Sequence, residues 1–200
     1  MQYRIAHAGA QGGCRPVYRV RLSFTLGVSL STDPPMFELA PLEAADKTEL
    51  YQGLHEQMRG LLHGERDRIA NAANFSALVF NSVSGLNWCG FYFFDGTELV
   101  VGPFQGKPAC VRIALGKGVC GTAAATRTTQ VVEDVHAFPG HIACDAASRS
   151  EIVVPLVDAA GDLIGVWDVD SPLPARFDDE DRVGMERLCA VFLASLRGAI

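Results

Sequence analysis

The sequence predicts an α+β fold, an antiparallel sheet of about six strands with helices packed on it. Three observations carry this expectation. Apolar residues recur at helical spacing mainly towards the two ends of the ordered-looking region, while its middle holds short runs rich in aromatic and β-branched residues. Those runs are joined mostly by hairpin-type turns, Asp95-Gly96 and the DAAGD segment at 158–162, and not by crossover helices. Hydrophobic residues make up 48% of the chain against 20% charged, enough to bury a substantial core.

Taken in order, residues 42–62 carry an apolar stripe at Leu50, Leu54, Met58 and Leu61 or Leu62, closed by Gly64, and predict a first helix. A second, alanine-rich helix is expected over 66–83, ending before Gly85. The period then changes to that of strands: WCGFYFF, the Asp95-Gly96 turn and ELVVGPF read as a hairpin, and ACVRIAL at 109–115 as a further strand. GKGVCGTAAAT is a glycine-rich turn entering a short helix, and QVVEDV at 130–135 a short strand before the loop HAFPGHIACDAASRS. EIVVPLV and LIGVWDV form a second hairpin. Asp178 is a good N-cap for a final helix with acids in its first turn and an apolar stripe at Met185, Leu188, Phe192 and Leu196. The chain shows no internal repeat and no low-complexity segment.

The formal net charge of −6 argues against nucleic-acid binding by phosphate neutralisation. Four arginines (Arg4, Arg15, Arg19, Arg21) and a single acid, Asp33, occupy the first 35 residues. That pattern fits a targeting segment, or upstream sequence ahead of a true start at Met36. Residues 1–40 are therefore expected to be an extension, disordered or outside the domain, and 41–200 a single domain. No apolar run of about 18 residues is present, so no membrane helix is expected. Without a secretory signal, the six cysteines suggest reactive thiols in the reducing cytoplasm in preference to a disulfide framework.

Several motifs dissolve on inspection. GPFQGKP at 102–108 has too few residues before its GK pair for a phosphate loop, and Pro108 follows the lysine. His136, His141, Cys110, Cys120 and Cys144 are the residues that a zinc site would draw on, but the chain lacks a CxxC pair and the zinc-deaminase pattern, and no metal is expected. A Cys–His hydrolase using Cys144 with His136 or His141 stays open. Thiol redox chemistry suits three loop cysteines better, with Cys120 at a helix N-terminus where the dipole favours a thiolate. Cys14, Cys89 and Cys189 read as packed or peripheral thiols. Asp168 and Asp170 alternate along a strand and share a face, as do Trp88 and Tyr92; alone, these read as a solvated face and core packing.

Together, NWCGFYFF at 87–94, GPFQGKPACVRIALGKGVCGTAAAT at 102–126 and DVHAFPGHIACDAASRSEIVVPL at 134–156 closely resemble the free methionine-(R)-sulfoxide reductases, single-domain GAF proteins. The similarity runs from about Lys47 to Leu196, and the C-x9-C-x23-C pattern at Cys110, Cys120 and Cys144 is its most specific part. The resemblance implies a GAF fold, reduction of free L-methionine-(R)-sulfoxide, and recycling by thioredoxin, itself reduced by NADPH through thioredoxin reductase, with no bound cofactor. It implies Cys144 as nucleophile, Cys110 as resolving thiol and Cys120 as an additional recycling thiol. Glu151, Asp168 and Asp170 would hold the substrate ammonium and assist at the sulfoxide oxygen, with Trp88 and Tyr92 as pocket aromatics. Cys89 departs from the small aliphatic residue expected after the tryptophan, and residues 1–40 have no counterpart.

The implied chemistry needs a proton on the sulfoxide oxygen. Crowded acids repel one another into protonated forms, and Glu151 is the favoured donor. The same acids raise the pKa of nearby thiols, opposing the thiolate that attack requires. Several acids in one cavity suit a free α-ammonium, which a peptide-bound residue lacks. A homodimer is possible within this reading, and no nucleic acid or membrane is involved. A non-catalytic GAF sensing module, redox- or ligand-responsive, is the alternative, and it would normally be fused to an output domain.

Overall fold

Capping residues and turns decide where each element begins, and the pairing of distant strands decides which side chains meet. A computed structural model describes residues 42, 44–140 and 145–200. The expected 1–40 extension with Cys14, and both His141 and Cys144, lie outside the described residues. The elements are α1 (Lys47–Leu62), α2 (Arg68–Ser82), β1 (Trp88–Phe94), β2 (Glu98–Gly106), β3 (Arg112–Ala114), α3 (Gly118–Thr126), β4 (Gln130–Val132), a one-turn 3-10 helix (Val135–Ala137), β5 (Ser150–Val157), β6 (Leu163–Ser171) and α4 (Asp179–Leu196).

Helices α1, α2 and α4 each start where an acid accepts orphan backbone N–H groups, whereas α3 starts at Lys117 without a side-chain cap. Asp46 accepts from Glu49, Asp67 from Ile69 and Ala70, and Asp178 from Glu180 and Asp181 in a capping box that Asp181 completes. This moves the start of α1 from the expected 42 to 47. Asp95 accepts from the N–H groups of Thr97 and Glu98, and Gly96 takes the positive φ of +100° that the turn demands. Asp158 closes the second hairpin in the same way through Ala160 and Asp162.

The six strands form one antiparallel sheet in the order β3-β2-β1-β6-β5-β4. Its centre, β1 against β6, joins segments about 80 residues apart in sequence, a pairing that no turn signal announces. Two expected strands are shorter than read. ACVRIAL contributes only Arg112–Ala114, because Gly106 and Pro108 end the preceding ladder, so Cys110 sits in the β2–β3 connection and does not begin a strand. QVVEDV contributes Gln130–Val132, after which Asp134 accepts from His136 N–H and turns the chain into the 3-10 helix.

The pleat divides the buried side chains into two cores. Cys89, Phe91, Trp167, Val169, Ile152 and Val154 face α1, α2 and α4. Trp88, Tyr92, Val166 and Val153 face the other way, against α3 and its flanking loops. Phe75 on α2 anchors the first core by edge-on contacts with Phe91, Trp167 and Phe192 at centroid distances of 5.3, 4.8 and 5.9 Å.

Candidate active site

The α3 face of the sheet is where the chemistry collects. Strand registry sets it: Glu151 lies opposite Asp170, Asp170 opposite Trp88, Asp168 opposite Gly90, and Tyr92 opposite Val166. Three acids and two aromatics from three strands therefore share one face, as the two-residue alternation requires. Across them lies α3, whose third residue is Cys120. Gly121 lets the helix approach closely, since a Cβ there would stand 2.4 Å from the Ala114 carbonyl oxygen.

Two adjoining chambers result, both bounded by Asp145, Asp168 and Asp170. The larger, enclosing about 390 Å³ of empty space open towards solvent, is lined also by Cys120, Ser148 and Glu151. The smaller, about 220 Å³, is lined by Trp88, Tyr92 and the 107–109 segment. Trp88 stacks on Phe104 at 5.2 Å and on Tyr92 at 5.7 Å, and its Nε1–H donates to the Lys107 carbonyl at 3.1 Å. Gly90 makes this possible: a Cβ at that position would fall 2.7 Å from the tip of the indole and 2.3 Å from Phe104 Cβ.

The acids sort by environment. Burial, then the charges of Asp168 and Asp170, pushes the Glu151 carboxyl well above the usual carboxylate range. Burial raises Asp168 to about 7. Asp170, at the chamber wall, is also raised, by desolvation and then by Asp168. At the rim the sign reverses: the Ala147 N–H above all, helped by Lys107 and Asn87, holds Asp145 below its ordinary value. One pocket thus holds a readily ionised carboxylate near its mouth and proton-retaining carboxyls at its floor, the division that acid–base chemistry at neutral pH requires.

Cys120 is buried, and its thiol lies 3.8 Å from Glu151 Oε1. Burial, then Asp168 and Glu151, pushes its pKa well up. The expectation that the α3 N-terminus favours a Cys120 thiolate is thereby corrected, because desolvation and two neighbouring carboxylates outweigh a helix dipole effect worth about 1 kcal/mol.

Of the residues singled out in the sequence, the fold brings together Cys120, Glu151, Asp168, Asp170, Trp88 and Tyr92. Cys110 is half-buried and packs at the edge of the same core. His136 is exposed and is not among the residues lining either chamber, and the metal-competent group among the described residues holds no histidine. Cys89 packs in the opposite core, where burial raises its pKa. Asn87, Asp145 and Ser148 are further site residues that the sequence did not single out. The Asn87 amide donates to Ser148 Oγ at 3.0 Å and to Asp145 at 3.3 Å, tying the start of β1 to the loop before β5. Asparagine immediately before a strand, and an Asx turn at Asp145, were the only available signals.

A GAF-domain family model matches residues 68–195. The free methionine-R-sulfoxide reductase of Escherichia coli is 52% identical over 145 residues, covering 72% of this chain and 87% of that protein. Its counterpart from Neisseria meningitidis, solved with its substrate, is 43% identical with a TM-score of 0.77 over 82% of this chain and 98% of that one. A Burkholderia vietnamiensis protein described as a GAF sensor is 76% identical, with a TM-score of 0.75 over 78% of this chain and 99% of that one. On this family match and these identities, the chain belongs to the GAF-domain family of free methionine-R-sulfoxide reductases.

Proposed function

We propose that this protein reduces free L-methionine-(R)-sulfoxide to methionine, with thioredoxin as the reductant. The observation that carries this reading is the convergence of Glu151, Asp168 and Asp170 with the stacked Trp88 and Tyr92 on one face of the sheet. Carboxylates of Asp168 and Asp170 receive the substrate ammonium, whose charge relieves their mutual repulsion. The aromatic pair holds the methyl group and fixes which face of the sulfur is presented. Glu151, whose carboxyl is held well above the usual carboxylate range by burial and the neighbouring acids, donates a proton to the sulfoxide oxygen.

The Cys144 sulfur attacks the substrate sulfur, the oxygen passes to the cysteine as a sulfenic acid, and methionine leaves with both electrons of the cleaved bond. Cys110 then condenses with the sulfenic acid, releasing water and forming a disulfide. Cys120 exchanges into that disulfide during recycling, and a thioredoxin dithiol restores the thiols, drawing on NADPH through thioredoxin reductase. This chemistry suits a reducing cytoplasm. No helix among the described residues is long and apolar enough to cross a membrane.

The test is methionine release from each sulfoxide epimer, driven by thioredoxin, thioredoxin reductase and NADPH, for wild type and Cys144→Ser. Turnover of the R epimer alone, lost in the variant, is expected. Absence of turnover by fully reduced protein would favour a GAF sensing module, the reading that the description of the Burkholderia relative favours.

A further inference from the structure

Three ligand atoms on three rigid elements meet in the wall of the substrate pocket: the Cys120 sulfur from α3, a Glu151 oxygen from β5 and an Asp168 oxygen from β6. All lie within 4.8 Å of one another, and all three residues are buried. Cys120 Sγ and Glu151 Oε1 are 3.8 Å apart. Tetrahedral zinc, with bonds of about 2.0–2.3 Å, sets its ligands about 3.3–3.6 Å from each other. The Cys120–Glu151 separation is thus close to that spacing, and the other separations, none above 4.8 Å, are near it.

A second observation points independently to a ligand. Asp168 is 6% exposed, lines the larger chamber, and its Oδ1 accepts no hydrogen bond among the described residues. Nor does any lysine or arginine among them pair with Glu151 or Asp168; Lys107 is engaged at the rim by Asp145. A buried carboxylate oxygen without a donor is costly, and a bound cation satisfies it.

We propose that Cys120, Glu151 and Asp168 form a binding site for a thiophilic divalent cation, zinc above all, that competes with substrate for the pocket. The donor set selects the metal class. Sulfur with two carboxylates suits zinc, whereas magnesium and calcium require six or more oxygens and gain little from a thiol. Three protein ligands leave the fourth position facing the chamber. Binding replaces the thiol proton by the metal and ties up Asp168, which the substrate ammonium needs, and Glu151, which donates to the sulfoxide oxygen. Zinc therefore inhibits turnover, competitively with the sulfoxide and reversibly on chelation. This departs from the expectation of a metal-free protein. The inhibition rests on the reductase reading, but the binding does not.

Cobalt(II) is the probe, added anaerobically to the fully reduced full-length chain. One equivalent giving a thiolate-to-cobalt charge-transfer band in the near ultraviolet, displaced by zinc and unaffected by magnesium, is expected. Cys120→Ser abolishes the band, and Asp168→Asn weakens binding more than about a hundredfold, beyond the loss typical of an outer-sphere partner; Cys144→Ser retains the band. Circular dichroism checks the folding of each variant. If Cys120→Ser does not fold, Asp168→Asn and Glu151→Gln carry the test, and full affinity in both overturns the site. The absence of a band, or a band that survives Cys120→Ser and disappears in Cys144→Ser, also overturns it. Cobalt binding in a protein that turns over neither epimer leaves the cation site standing and removes the reductase reading.

Discussion

At the scale of single residues, a missing side chain and a buried thiol matter as much as the acids. Gly90 leaves the space into which Trp88 folds. Gly90→Ala drives a methyl to within 2.3 Å of Phe104 Cβ and 2.7 Å of Trp88, so the indole must leave its stack. Overpacking of this kind costs about 1–3 kcal/mol. We expect Gly90→Ala to lower the urea midpoint accordingly and to raise KM for the sulfoxide more than it lowers kcat. An unchanged KM would mean that the Trp88 stack does not shape the substrate pocket. Cys120 offers a second check. Burial and two carboxylates keep it protonated, so iodoacetamide at neutral pH should label it far more slowly in the folded protein than after unfolding, as read by peptide mapping. Fast labelling in the native state would contradict the placement of Cys120 beside Glu151.

At the scale of elements, α1 and α4 are held together by one buried acid. Asp181, wholly inaccessible on α4, accepts from Tyr51 Oη at 2.8 Å and pairs with Lys47 of α1 and with Arg176. Removing its charge leaves Arg176 facing an uncharged site and Lys47 with Asp178 alone. Asp181→Asn should cost about 3 kcal/mol, at the lower end of the range for a broken buried pair because Lys47 and Arg176 keep some access to water. Gly184 supports the same junction, since its Cβ would meet the Tyr51 ring at 2.2 Å. Gly184→Ala displaces the ring, and the two substitutions should prove non-additive in a double-mutant cycle because both act through Tyr51. Strict additivity would show that Tyr51 does not couple them.

At the scale of the whole molecule, the acid pocket makes stability depend on pH in an unusual direction. The unfolded chain releases the Asp168 proton near its ordinary value of 3.8, whereas the folded protein retains it to about 7. Across that window the folded state binds more protons, so stability falls as pH rises. Glu151 and Asp170, also raised, add to the decline in the same direction. Asp178 works the other way but in a separate window: Lys47 above all holds it down at about 2, and its contribution is lost only as pH falls below 3.8. Without substrate, the urea midpoint should therefore be higher near pH 5 than near pH 7.5, and Asp168→Asn should flatten the difference. A midpoint that rises over this interval would contradict the burial of the acids as a group.

The sequence by itself determined the α+β class, the order of the elements and the two hairpins, because periodicity, N-caps and Asp-based turns act over only a few residues. Cys110 and Cys120 stood out as loop cysteines, whereas alternation in VWDVD put Asp168 and Asp170 on one face that by itself reads as solvated, and only the resemblance gave those acids a role. Only the tertiary structure decided that β1 pairs with β6 and that β5 lies beyond β6. That registry converts two ordinary-looking acids and a strand-initial glutamate into one buried cluster. It also brings Asn87 against Ser148 and Asp145, some 60 residues away. Desolvation reversed the expectation for Cys120 for the same reason: a pKa is set by every charge and dipole packed around a group, and most of those come from parts of the chain that local sequence cannot see.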